Sequence, residues 1–335
     1  MKRTLWMLIA FLILGAGVLW YFLGQGDSKT TLAGLDRKFA VKDTAAIHKI
    51  FIAGRTGEST TLERKGADWI YNGKYRARPN AMENLLRAIY RVEMKYQPPK
   101  NAEKSMIRSL ATEGLKVELY DAQNQLMKAY YVGGSTADER GTYMMMDGAE
   151  QPYVTYIPSW EGNLRFRYNL QGEDWRDKSV FAVASENIAA VSVEYHMQRE
   201  KSFKISRQGD GFQVVPFHQV TPAIKRPLKT RAVESYLVGY ENLAAEAFEN
   251  QNIARDSISS LVPFCTISLK QTDGTEQVVK LHPIFKAPYV DEAGNVTRQD
   301  DTIERYYANC NNGDFMLVQH LVFKKILWPY ESFFE

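Results

Sequence analysis

The stretch FAVKDTAAIHKIFI, Phe39 to Ile52, returns as FAVASENIAAVSVE, Phe181 to Glu194, and the similarity continues downstream of each copy. In the first copy Ile47, Ile50 and Ile52 lead through a Gly-containing turn into TTLERKGADWIYNG, which places Leu62, Arg64 and Trp69. In the second, Ile188, Val191 and Val193 lead into SFKISRQGDGFQVV, which places Ile205, Arg207 and Phe212 at the same spacing. Apolar residues at period two around glycine turns predict antiparallel hairpins with one buried face.

Working outward, PNAMENLLRAIYRVEMKY (79–96) and TRAVESYLVGYENLAAEAF (230–248) come next. Met82, Leu85, Leu86, Ile89 and Tyr90 recur at three and four, as do Val233, Tyr236, Leu237 and Tyr240, so each segment predicts one amphipathic helix. Asn80 and Thr230 are suitable N-cap residues. Beyond each helix, paired runs around DAQNQ and QTDGT, then around DG and NNG, predict four more strands. The fold class expected is α+β: two tandem repeats of mostly antiparallel sheet with one amphipathic helix each, over 39–175 and 176–335. The segment from Pro158 to Lys178 joins them, with room for a short helix.

Ahead of the repeats, Lys2 and Arg3 precede a charge-free run from Leu5 to Leu23. At helical rise that run spans about 28 Å, close to the roughly 30 Å of a bilayer's hydrocarbon. Trp6, Trp20 and Tyr21 sit where interfacial aromatics belong. The expectation is an N-terminal transmembrane helix over 1–24 and a polar linker over 25–38. A cleaved signal peptide is the alternative, with Gly24 and Gly26 as a weak processing site, although signal-peptide apolar regions are usually only about 7 to 15 residues long. Basic residues before the helix and a near-neutral stretch after it keep the N-terminus cytoplasmic, which places the body in the periplasm or extracytoplasmic space.

With 335 residues, 42 basic and 39 acidic side chains, the net charge of +3 gives no global field that would call for nucleic acid. His48, His196, His218, His282 and His320 are scattered without metal-ligand spacing, and the glycine-rich phosphate motifs and the nucleophile elbow are missing from the sequence. No catalytic residue, cofactor or metal is therefore expected. The acidic loop with Asp291, Glu292, Asp300, Asp301 and Glu304 lacks calcium-loop spacing and reads as a solvated hairpin extension. Cys265 and Cys310 could form a disulfide in an oxidising compartment. Aligned on the repeat they fall opposite Leu115 and the neighbourhood of Met145, which equally suits two buried apolar residues.

One polar feature recurs. Lys74, Arg76 and Arg78 precede the first helix, and Lys225, Arg226, Lys229 and Arg231 precede or open the second. Cations at a helix N-terminus oppose its dipole, so these residues are candidates for holding an anion or a partner's carboxylate, against the alternative of a solvated basic loop.

Phe39, Ile47, Ile50, Leu62, Arg64 and Trp69, with RDKSVFAV at the join, resemble a bacterial family of envelope proteins described only as a domain of unknown function with an internal duplication. The resemblance implies a membrane anchor and a location in the envelope. It also implies genes beside ABC-type exporters related to gliding-motility transporters, and hence an accessory or scaffold subunit of an exporter, secretion or motility machine in the inner membrane. It carries over no active-site residue. A binding module for cell-wall or polysaccharide polymer is the alternative.

Overall fold

The computed structural model describes residues 36–55, 57–209, 211–290, 296–298 and 300–335. The expected anchor (1–24) and nearly all of the linker (25–38) lie outside the described residues, as do Asp291 and Glu292 of the acidic loop. Among the described residues, no helix is long and apolar enough to cross a membrane. The chain divides into two units, the first ending at Asp177 and the second running Lys178–Glu335.

Both units are sheet-rich, α+β in character, and every pairing between their described strands is antiparallel. In unit 1 a meander of β1 (Lys49–Ala53), β2 (Ser59–Lys65), β3 (Asp68–Tyr71) and β4 (Tyr75–Arg76) leads to helix α1 (Pro79–Arg91). The chain then crosses to the far edge as β5 (Glu93–Tyr96) and returns through α2 (Lys100–Glu113). Strands β6 (Leu115–Tyr120), β7 (Leu126–Ser135), β8 (Thr142–Met146) and β9 (Tyr153–Tyr156) complete a sheet ordered β4-β3-β2-β1-β6-β7-β8-β9-β5.

Unit 2 opens with β10 (Ser179–Phe181), then β11 (Ile188–Tyr195), β12 (Phe203–Gln208), β13 (Gly211–Pro216) and α3 (Thr230–Val238). After β14 (Leu243–Ala244), which pairs with β10, β15 (Ala247–Phe248) forms the far edge and α4 (Arg255–Ser260) leads back. Then come β16 (Cys265–Gln271), β17 (Glu276–Phe285), the small hairpin β18 (Tyr289–Val290) and β19 (Val296–Arg298), β20 (Ile303–Cys310), β21 (Phe315–Gln319) and α5 (His320–Phe323). The main sheet is ordered β13-β12-β11-β16-β17-β20-β21-β15.

Period-two burial makes these strands. Ile50 and Ile52 of β1, Val117 and Leu119 of β6, Val191 and Val193 of β11, and Ile267 and Leu269 of β16 point into their unit's core. The helices cover that face: α1 buries Ala81, Met82, Leu85, Ala88 and Ile89, and α3 buries Val233, Tyr236 and Leu237. Tyr90, expected on the same stripe, is 44% exposed, and the Lys42 ammonium lies 4.9 Å from its ring centre.

The helices differ from expectation in number and extent. Each unit has a second helix between its far-edge strand and its central hairpins, α2 or α4, instead of one helix alone. The first predicted helix stops at Arg91, because the chain leaves helical backbone at Val92, and VEMKY supplies β5. The second stops at Val238, where the turn at Gly239 intervenes before β14. The caps are Arg78 and Lys229, neither with a side-chain cap bond, so Asn80 and Thr230 lie inside their helices. The connector forms two 3-10 turns, Leu164–Arg167 and Gly172–Trp175, and belongs to unit 1.

The division falls after Asp177 because the end of unit 1 is tied back to its own helix. Ala77 pairs with Arg176 as an isolated antiparallel bridge, Arg78 N donates to Trp175 O at 2.8 Å, and Asp177 N donates to Arg76 O at 2.8 Å. Unit 2 makes the same closure: Leu228 pairs with Phe334, Lys229 N donates to Phe333 O at 2.8 Å, and Glu335 N donates to Pro227 O at 3.1 Å. Trp175 and Phe333 are fully buried at these seams. Removing the Trp175 side chain leaves a large cavity, so Trp175→Ala should cost about 3–5 kcal/mol. Equilibrium denaturation followed by circular dichroism checks this, and a loss well under 1 kcal/mol would contradict the role of the seam.

Candidate functional site

The basic residues singled out from sequence sit around the two closure seams. Arg76 is committed: its guanidinium pairs with Asp68 at 2.9 Å and with Asp177 at 3.0 Å. The hydrogen bond it donates to Asp68 leads in raising its pKa further. Lys74 lies 4.8 Å from the Tyr75 ring centre. Arg78 is half-buried, and its Nε has no hydrogen-bond partner among the described residues. The Arg176 guanidinium also lies over the Tyr75 ring, at 3.7 Å, and pairs with Glu173 at 2.8 Å.

In unit 2, Arg226 donates to the main-chain oxygen of Glu335, which ties the side chain to the seam. Lys225, Lys229 and Arg231 are exposed. The structure thus brings Arg76, Arg78 and Arg226 to the seams and leaves Lys225, Lys229 and Arg231 in solvent.

Two arginines noted only as landmarks have the most defined roles. Arg64, on β2, donates through Nε to Ile47 O at 3.0 Å and through Nη2 to Thr44 O at 3.1 Å, while its guanidinium lies 4.7 Å from the Trp69 ring. Arg207, on β12, donates to Ile188 O at 3.4 Å and Ser185 O at 3.0 Å, 4.9 Å from the Phe212 ring. Each fork caps carbonyls of the loop entering the first long strand of its unit and is held flat by an aromatic face. The recurring Leu/Ile-x-Arg then aromatic spacing is the sequence signal of this brace.

Cys265 and Cys310 are free thiols. They lie on β16 and β20, which flank β17: Cys265 is in register with Leu281, and Cys310 with Val279. Two strand spacings of about 4.8 Å separate them, beyond the roughly 4.4–6.8 Å that a disulfide spans between Cα atoms. Burial raises both thiol pKa values, that of Cys310 to about 12, with Asp314 adding to it.

The histidines do not gather into one cluster, although two of them meet at Glu194. His196 Nε2 contacts Thr266 Oγ1 at 2.9 Å, and His196 and His218 both approach Glu194, at 3.9 and 3.7 Å. His320 contacts the Tyr306 hydroxyl at 2.8 Å, and the buried His282 has its pKa lowered by burial and by Lys280. Among the described residues, no group of three His, Cys, Asp or Glu side chains is placed to hold a metal ion.

A concavity missed from sequence lies in unit 1. It encloses about 540 Å³ between the turn after β1, the end of α2 and the connector around Asn169 to Gly172. Arg165 forms part of its wall, donating to Val132 O at 3.1 Å and Glu113 O at 2.7 Å. No sequence motif marks it, because its lining comes from four separated segments.

Residues 69–257 match the family DUF4340, a domain of unknown function. That match covers more than half of the chain, and the protein belongs to the DUF4340 family. No curated protein and no solved structure gives a significant match.

The brace and the thiols are each open to measurement. Arg64→Lys keeps the charge but loses the fork, so it should cost about 1.5–3 kcal/mol by denaturation, the range for hydrogen bonds to charged groups; a neutral effect would refute the brace. Both thiols stay protonated at pH 8, Cys265 buried and Cys310 half-buried, so native protein should be alkylated slowly, take up two labels when denatured, and show no disulfide in its intact mass. Because the folded thiol pKa values lie above the unfolded ones, their contribution to stability is intact below the unfolded value near pH 8.5 and fades as pH climbs toward about 12. Unfolding midpoints that hold constant from pH 8 to 11 would contradict this.

Proposed function

We propose that this DUF4340 protein is a single-pass, membrane-anchored accessory or scaffold subunit whose two units work on the extracytoplasmic side of the inner membrane. The observation that carries the reading is the charge-free run from Leu5 to Leu23 behind Lys2 and Arg3, long enough for about 28 Å of helix. The two units are read as products of an internal duplication. In support, both sheets use the same strand order by position apart from the edge strand β4, which unit 2 lacks, both have an arginine brace, and both close by the same main-chain seam. The partners proposed are other envelope or membrane proteins, an ABC-type exporter or a motility or secretion assembly among them, and not nucleic acid. The reading is non-enzymatic: the braces and seams assign structural work to the most conspicuous polar side chains.

The alternative, a module for cell-wall or polysaccharide polymer, has one specific support. Trp160 and Phe166 form a surface aromatic pair with ring centres 5.7 Å apart, and Phe166 is 56% exposed. Rings of this kind offer apolar contact area to a sugar, on the sides not taken by the Arg167 guanidinium, which lies 4.7 Å from the Trp160 ring centre and 5.7 Å from that of Phe166.

Fractionation tests the main reading. The full chain should stay with membranes through an alkaline wash, and deletion of residues 1–24 should release it. Protease added outside the inner membrane should digest the body. Gentle detergent extraction should co-purify membrane subunits in fixed proportion. A mature chain that begins after Gly26, or a body reachable only from the cytosol, would defeat the proposal, and sedimentation with insoluble wall material would favour the alternative.

A further inference from the structure

We propose that one end of the unit 2 sheet rests on the bilayer, its apolar turn tips entering the headgroup layer and a basic collar meeting anionic phospholipid. The inference rests on the reading above, that residues 1–24 anchor the chain in a membrane, and it adds a second, peripheral contact made by the folded body.

Strand register gathers three separate segments at that end. Tyr195, closing β11, is level with Cys265, opening β16, and Phe203, opening β12, is level with Pro216, closing β13. The β11–β12 turn, the loop leaving β13 and the segment entering β16 therefore emerge side by side, across three strand spacings of about 4.8 Å each. Each segment carries apolar side chains into solvent: Met197 and Val220 are both 84% exposed, Leu261 is 62% and Val262 67% exposed. An exposed apolar residue standing alone is ordinary, but four on adjoining turn tips mark an interaction surface.

The fold itself does not require these tips. At the opposite end of the same sheet, β16 turns into β17 through TDGT (272–275) and β20 into β21 through NNG (311–313), all polar or glycine. Ile253 is the exposed large apolar side chain on that side, near Arg255, which donates to Gly313 O at 2.8 Å. In unit 1 the loop leaving β1 carries Arg55 and Glu58, and the turn leaving β3 is Asn72, Gly73 and Lys74, where unit 2 has Met197 and Val220.

Charge and tethering identify the occupant. Arg199, Lys201 and Lys204 surround the β11–β12 turn, Lys225 lies in the loop after β13, and none of the four is in an ion pair among the described residues. Glu200 is the one acid of these segments, and the neighbouring Glu194 faces His196 and His218. Asp300, Asp301 and Glu304 stand beyond β17, on the other half of this end, so the half from β13 to β16 is the one suited to an anionic surface. Lysine is depleted from protein–protein interfaces, whereas apolar tips among lysines and arginines are what an anionic bilayer receives. The 13 positions from Leu23 to Asp36 span at most about 45 Å, so a bilayer is always near the folded body.

The test uses the full-length chain in proteoliposomes, with an environment-sensitive fluorescent amino acid at Met197, Val220 or Val262, and at exposed Thr272 on the opposite end as the control. In bilayers containing phosphatidylglycerol, the three probes should shift to the blue and be quenched by lipid spin-labelled near the headgroup, and the control should not. Arg199→Gln and Lys201→Gln should each lower the ratio of lipid-bound to free emission about 5-fold, with the wild-type melting temperature retained. If either variant melts early, added salt makes the same test on the unaltered residues, because screening should reduce the quenching. The proposal is overturned if the three probes stay unquenched, if Thr272 is quenched equally, or if quenching ignores both phosphatidylglycerol and salt. It is also overturned if a photoreactive residue at Val262 in native membranes forms its adduct with protein in place of lipid. Where the chain survives an alkaline wash in those cases, the anchor reading stands and only this contact falls. A chain that washes off defeats both.

Discussion

Each unit depends on one closure: the main chain ahead of its principal helix pairs with the main chain at the unit's own end. The helix N-terminus has no side-chain cap in either case, and the carbonyls of Trp175 and Phe333 take up the N–H groups of Arg78 and Lys229, which have no intrahelical acceptor. The buried rings of the same two residues then fill the space beneath α1 and α3. Backbone satisfaction and core packing are thus met by a single short segment. That explains why the connector from Pro158 folds onto unit 1 and does not act as a loose tether.

The basic residues around the helices take on a different meaning in this light. Arg76 links the meander, through Asp68, to the closing segment, through Asp177. Arg226 reaches the corresponding segment of unit 2. Their sequence position beside a helix start suggests an anion site, but their geometry binds the seam. Exposed pairs of this kind contribute little stability individually, about 0–1 kcal/mol, so they align a seam that backbone bonds and aromatic burial hold.

The strands, the hairpin turns and the two principal helices are legible in the sequence because their signals are local: period two, glycine turns, and apolar residues at three and four. The second helix of each unit is not. Only Met106 and Leu110 of α2 are buried, and none of the six residues of α4 is, so neither displays an apolar stripe. Strand β5 is hidden because VEMKY continues the helical pattern in composition while Val92 leaves helical geometry. The seams escape notice since their partners lie far apart along the chain and share only an aromatic-then-acidic echo, GEDWRD against YESFFE. The thiols show the limit of compartment reasoning. An oxidising space permits a bridge, but strand register decides whether two sulfurs can meet.

The closing segment also sets an order of events. Arg76 and Asp177 are 101 positions apart, and Arg226 and Glu335 are separated by 109. A contact of that span cannot form until nearly the whole unit has been synthesised, and bringing its ends together carries the entropy of a long loop. Hairpins and helices can assemble while the ribosome is still at work, yet each half stays unlatched, its greasy underside open, until its final few amino acids emerge. Each half nevertheless contains every residue that its own latch requires, so the first can shut without waiting for the second.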